Sequence, residues 1–203
     1  MTTRPLWQHL IASAFALAML TYAFVLGRRV PLLGYADLGF HELGHLLASP
    51  FSRTFAVVMG SGTQILVPLG LAAYFWLRSR DRLASGLIAV WAATSMQDAS
   101  VYIADAPFQR LPLIGGHHDW AYLMSRWGVL DESGDYAGLV LFFGALIGLG
   151  GFGIVASAPF NAAKSIVKNK WQRHRARDLP VRAIREFDQP WDDPEPSQVR
   201  SSP

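Results

Sequence analysis

The sequence predicts an all-α protein, a multi-pass transmembrane helical bundle of about five membrane segments with a cytoplasmic tail. Three observations carry this expectation. Of 203 residues, 51% are hydrophobic and only 16% are charged, and the mean hydropathy is +0.22. The charges leave three long gaps: Leu10 to Leu26, Thr54 to Leu77 and Tyr136 to Phe160 contain none. An apolar run of about 18 residues or more can cross a bilayer as a helix, and burying three such helices on all sides inside so short a chain is improbable. The absence of cysteine excludes disulfides and thiolate metal sites.

The segments fall at about 7–27, 31–50, 54–77, 83–104 and 136–160. The first is expected to stay as a membrane helix rather than be cleaved as a signal peptide. Only Arg4 precedes it, and the apolar stretch runs on to Leu26 before Arg28 and Arg29. The second is interrupted by Asp37, His41, Glu42 and His45. Such groups inside a membrane segment need protein neighbours. The fourth turns polar towards its end, at Gln97, Asp98 and Asp105. A long connection rich in Pro, Gly, His and Trp then leads to the fifth.

Basic residues set the expected orientation. Arg28 and Arg29, then Arg78, Arg80 and Arg82, then the cluster beginning at Lys164 follow segments one, three and five. With five spans all three clusters share one face, which the positive-inside rule makes cytoplasmic, leaving the N-terminus outside. The expected domains are a transmembrane helical domain, 1–163, and a tail, 164–203. Eight of the 22 residues from Lys164 to Arg185 are Lys or Arg, suiting a topology anchor or a lipid-facing extension. The stretch from Glu186 to Pro203 is acidic and proline-rich and is expected to be disordered. Lipid and a membrane-protein substrate are the expected partners, and nucleic acid is not.

The chemistry concentrates at His41-Glu42-Leu43-Gly44-His45, an H-E-x-x-H pattern. Histidines four residues apart on a helix lie one turn apart on one face, so both imidazoles can reach one ion. Glu42 lies beside them, placed to act as a catalytic base towards a metal-activated water. Zinc suits the set, with three protein ligands and one open position. Given six His in the chain, about 0.003 such matches are expected by chance. The bland alternative is a hydrogen-bonded polar knot that fixes helix register.

Two imidazoles need a third ligand. The connection supplies His117, His118 and Asp119, and the expected order is Asp119, then His118, then Asp98. Segment two runs outward and segment four ends outside, so residues 41–45 and 105–119 come to the same membrane face. Asp105 is another acid at that end of segment four. Asp98 and Asp105 can instead orient the histidines or bond Tyr102 and Gln64. Asp37, one turn before His41, either accepts a histidine N–H or faces water.

HELGH, followed by GSGTQILVPLG, YIADA, LPLIGG and HDW in order, resembles the site-2-protease-like intramembrane zinc metallopeptidases, specifically their short bacterial relatives, over about residues 35–130. The resemblance implies zinc bound by His41, His45 and an aspartate matching Asp119, Glu42 activating water, peptidase activity and a bacterial inner membrane. Two other classes remain open on the residues alone: a metal-binding or ion-handling membrane protein without hydrolytic activity, and a structural factor.

Overall fold

The computed structural model describes residues 4–113 and 116–177, and no strand occurs among them. Helix α1 (Leu6–Leu20) ends in a π-helical turn, Thr21–Val25. There follow α2 (Leu33–Ala48), α3 (Arg53–Leu77), α4 (Arg82–Ala104), the short α5 (Asp119–Trp127), a 3₁₀ turn at Leu130–Glu132 and α6 (Ser133–Arg177). The chain divides into two compact units, Met1–Phe160 and Asn161–Pro203. In the second, Trp171 is exposed and the Arg175 guanidinium lies 5.1 Å from its ring centroid. The acidic, proline-rich stretch 186–203 lies outside the described residues.

Local chemistry explains where the helices begin. The Ser52 hydroxyl accepts the Phe55 N–H at the start of α3, and the Asp81 carboxylate accepts the Ala84 N–H at the start of α4. Each satisfies one of the orphan donors of a first helical turn. Asp81 also pairs with Arg4, which ties the start of α1 to that of α4. Gly128 ends α5 in the left-handed conformation, with φ 73°.

By length and composition, three helical stretches suffice to cross a membrane: Leu6–Val25, Arg53–Leu77 and Leu130–Arg175. The two other expected segments are present as helices but differ from that standard for physical reasons. Helix α2 has only 16 residues, hence a length of about 24 Å against a hydrocarbon core of about 30 Å. Helix α4 has 23 residues but is interspersed with Ser, Thr, Gln and Asp. Its buried face is largely polar or small, with Ser85, Thr94, Ser95, Gln97 and Ser100 inside. Large apolar side chains such as Ile11, Leu46 and Leu66 point outward.

Small residues let the helices of the first unit approach closely, as in membrane bundles. Gly86 of α4 faces Gly151 of α6, where a Cβ on either would come within 2.8 Å of the other's carbonyl oxygen. The tightest approach is α2 on α3. A Cβ at Gly44 would run into the backbone oxygen of Met59 and come within 2.6 Å of Thr63 Oγ1. From the α3 side, a Cβ at Gly60, next to Met59, would meet His45 Nε2 at 2.6 Å and His41 Cε1 at 2.9 Å. Two glycines thus set both the spacing of the two helices and the room for both imidazoles.

Gly44→Ala should therefore cost about 1–3 kcal/mol through overpacking against backbone that cannot yield. The expected readout is a lower midpoint of thermal unfolding in detergent. Gly62→Ala, whose nearest neighbour would be Met59 Sδ at 3.6 Å, should leave that midpoint unchanged or raise it.

Candidate metal centre

Three elements converge where α2 ends, α3 begins and α5 begins. His41 and His45 project from α2, one turn apart, with ring centroids 4.6 Å apart and the rings nearly perpendicular. Asp119 opens α5. Its Oδ2 lies 2.9 Å from His41 Nε2 and 3.1 Å from His45 Nε2, and the two Nε2 atoms are 3.0 Å apart. All three side chains are largely withdrawn from solvent, at 10%, 25% and 15% exposure respectively.

The far side of each imidazole decides what this triangle is. His41 Nδ1 donates to Gln64 Oε1 at 3.3 Å, and His45 Nδ1 donates to the Ala56 carbonyl at 3.0 Å. With Nδ1 carrying the proton in both rings, each Nε2 presents a lone pair to the other and to the Asp119 carboxylate. Three acceptors facing one another at about 3 Å repel unless a cation lies among them. A single proton can bridge two of them but not all three.

The donor set meets the requirement of a divalent ion. The three atoms are equidistant from a point about 1.7 Å away, slightly less than a Zn–N or Zn–O bond of about 2.0–2.2 Å, so one ion can touch all three only from one side of their plane. That side opens on a cavity of about 590 Å³ whose wall includes Glu42, Tyr102, Gln97, Arg29 and His117. Two imidazoles, a carboxylate and an open position suit zinc.

The surroundings hold the ligands in place. Gln64 passes its amide N–H to Asp98 Oδ2 at 3.1 Å, and Asp98 Oδ2 is paired with Arg29 Nη2 at 2.8 Å. A continuous chain thus runs from Arg29 through Asp98 and Gln64 to His41. Such outer partners fix a ligating histidine's tautomer and ring orientation. Tyr102, on the same face of α4 as Asp98, accepts the Asp119 backbone N–H through its hydroxyl at 3.0 Å. Its ring centroid is 6.0 Å from that of His41.

The remaining residues singled out from the sequence go elsewhere. His118, expected as the second-choice ligand, is turned away from the triangle. Its Nδ1 accepts the Ala121 N–H and so caps α5, while Nε2 faces Asp105 Oδ2 at 3.4 Å. Burial lowers the His118 pKa against the pull of Asp105, keeping the ring in the neutral form that capping needs. Asp105, another alternative ligand, closes the turn after α4 by accepting the Arg110 and Leu111 N–H groups. Burial alone would raise its pKa. The Leu111 and Arg110 N–H groups and the neighbouring His118 outweigh that and hold it below the ordinary carboxylate value. Asp98 supports the ligands instead of being one. Asp37 neither meets a histidine nor faces water: it is 2% exposed and accepts the Trp91 indole N–H and the Ser95 hydroxyl of α4. The α2 face that carries Asp37 is pressed against α4 there, so better donors reach it first.

Comparison with family models, with curated proteins and with solved structures returns no match.

Two substitutions that leave the triangle intact should separate support from ligation. Gln64→Leu should weaken zinc binding by about 10–100-fold, measured by competition with a chromogenic chelator. His118→Asn retains an N-cap acceptor and should keep zinc affinity within a few-fold of wild type. A loss of zinc in His118→Asn comparable to that in His41→Ala would make His118 a ligand after all.

Proposed function

We propose that the protein is a membrane-embedded zinc metallohydrolase acting as a peptidase, the chemistry implied by its resemblance to site-2-protease-like enzymes. The single observation that carries this reading is the meeting of His41 Nε2, His45 Nε2 and Asp119 Oδ2 within 3.1 Å of one another, with both Nδ1 atoms already committed to acceptors.

When bound, zinc lowers the pKa of a water at the open position to about 7 and polarises a substrate carbonyl. Glu42 lies next to His41 in the chain, is exposed, and borders the cavity. Its carboxylate takes a proton from the attacking water and returns it to the departing amine. Gln64 and the Ala56 carbonyl hold the imidazoles in the tautomer that ligation requires. Tyr102 and the His118 cap keep the start of α5 where Asp119 can reach them. A substrate helix hides its amides in its own hydrogen bonds, so a segment must unwind before its carbonyl can be attacked.

In this reading α2 and α4 also span, giving five membrane segments with the N-terminus outside, the centre near the outer face of a bacterial inner membrane and the tail cytoplasmic. The short α2 then turns Asp37 and His41 towards α4 and α3 and presents Leu43, Leu46 and Leu47 to lipid. Lipid and a locally unwound membrane protein are the partners this reading requires. Alkaline phosphatase, active only outside the cytoplasm, should be active when fused after Gly128 and silent when fused after Arg80. The opposite pattern would overturn the orientation.

The polar chain from Arg29 to His41 favours one rival, an ion-handling protein, because linked ionisable groups within a membrane also mark ion paths. Glu42 separates the two. Purified Glu42→Gln should bind zinc stoichiometrically while casein or transmembrane-peptide cleavage falls at least a hundredfold, and His41→Ala should lose both. Altered proton or cation flux in Glu42→Gln liposomes, with no hydrolysis by wild type, would sink the peptidase reading.

A further inference from the structure

The cavity that borders the His41, His45 and Asp119 side chains also carries in its wall a polar group with no structural task. Gln97 of α4 lines the cavity and is 4% exposed, and its side-chain oxygen has no hydrogen-bond partner among the described residues. A buried amide left unpaired carries its full desolvation cost, and native proteins keep few such groups. Neighbouring polar side chains do not share this state. Gln64 is bonded to His41 and Asp98, and Asp98 to Arg29, while Ser100 donates to the Gln97 backbone oxygen. Among these, Gln97 is the one with a fully buried side-chain acceptor left unpaired.

Its position gives that acceptor a meaning. Gln97 precedes Tyr102 by five residues on one helix, so it lies about 7.5 Å further along the axis. An extended peptide advances about 3.3–3.6 Å per residue, so a chain running along α4 covers the rise between the levels of Tyr102 and Gln97 with about two residues. The cavity wall is apolar where Leu38 and Val101 contribute, and two of its charged residues, Arg29 and Asp98, are paired with each other. An unwound membrane segment arrives there with its backbone N–H groups stripped of helical partners, and in hydrocarbon each needs an acceptor.

We infer that Gln97 is a substrate-binding residue whose side-chain amide takes the backbone of an extended peptide about two residues from the scissile bond. This rests on the peptidase reading above. Its ligand class is thereby narrowed to extended, unwound polypeptide, as opposed to an intact helix or a small acyl compound. Binding supplies the missing partner, and the enzyme's preference is for main chain over any particular side chain.

The test uses zinc-loaded, full-length protein in detergent and three probes: acetohydroxamate, a dipeptide hydroxamate extending from the acyl side, and a succinyl hydroxamate extending from the amine side. Calorimetric titration gives each affinity for wild type and for Gln97→Met, which keeps the side-chain volume and loses the acceptor. Gln97→Met should weaken one of the two extended hydroxamates about fivefold to tenfold while leaving acetohydroxamate and zinc content unchanged. Equal affinities of wild type and variant for all three probes overturn the role of Gln97 and leave the metal centre standing. Equal loss for all three, acetohydroxamate included, marks a general disturbance of the centre and also overturns it. Failure of the wild type to bind zinc or any hydroxamate overturns the peptidase reading, and this inference with it.

Discussion

The closeness of α2 to α3 is the constraint on which the rest depends. Gly44 brings one helix against the backbone of the other at Met59, and Gly60 leaves a hollow that two imidazoles fill. A bulkier residue at either position would separate the helices or push the rings out of the hollow. The rings' outer nitrogens find Gln64 and the Ala56 carbonyl only because α3 is that near. Their inner nitrogens then have nowhere to point but at each other and at Asp119. Geometry that looks like ligand chemistry is therefore produced by helix packing.

The second constraint is polar satisfaction in a largely apolar chain. Several buried polar groups come in connected sets that join different helices. Asp37 binds α2 to α4 through Trp91 and Ser95. Arg29, Asp98, Gln64 and His41 link the turn before α2 with α4, α3 and α2. Trp120 of α5 donates to Ser61 of α3. Where water is scarce, such bonds have few competitors, so they fix register as well as chemistry. The metal centre lies at the intersection of these links.

Much of the centre was legible in the sequence because helical spacing translates directly into proximity. His41 and His45 are four apart, and the expected alternation of five segments would bring residue 119 to the same end as both. What could not be read has specific causes. The Ala56 carbonyl is a backbone atom and carries no residue signature. Asp37 shares a face with His41, but only the packing of α4 shows that Trp91 and Ser95 claim its carboxylate. His118 and Asp119 are equally plausible donors by type, and their separation follows from a helix beginning between them. That helix, nine residues long, is too short for hydropathy to reveal, although Ala121, Met124 and Gly128 give its inner face and its stop. Tyr102 was within reach, being one turn from Asp98. The apolar runs of α1, α3 and α6 declared themselves by composition, whereas α2 and α4 blur that signal because they carry the polar interior.

Asp119, the third member of the triangle, lies 74 residues beyond His45 in the chain, on an element that forms only after α3 and α4 have been made. A ribosome that has delivered the histidines has delivered an inert pair, able to hold a cation weakly and unable to complete its shell. A group of three donors able to hold a cation exists only once α5 has been added to the bundle. The order of synthesis thus keeps a growing chain from offering a complete three-donor pocket to a passing ion before the helices around it have been made.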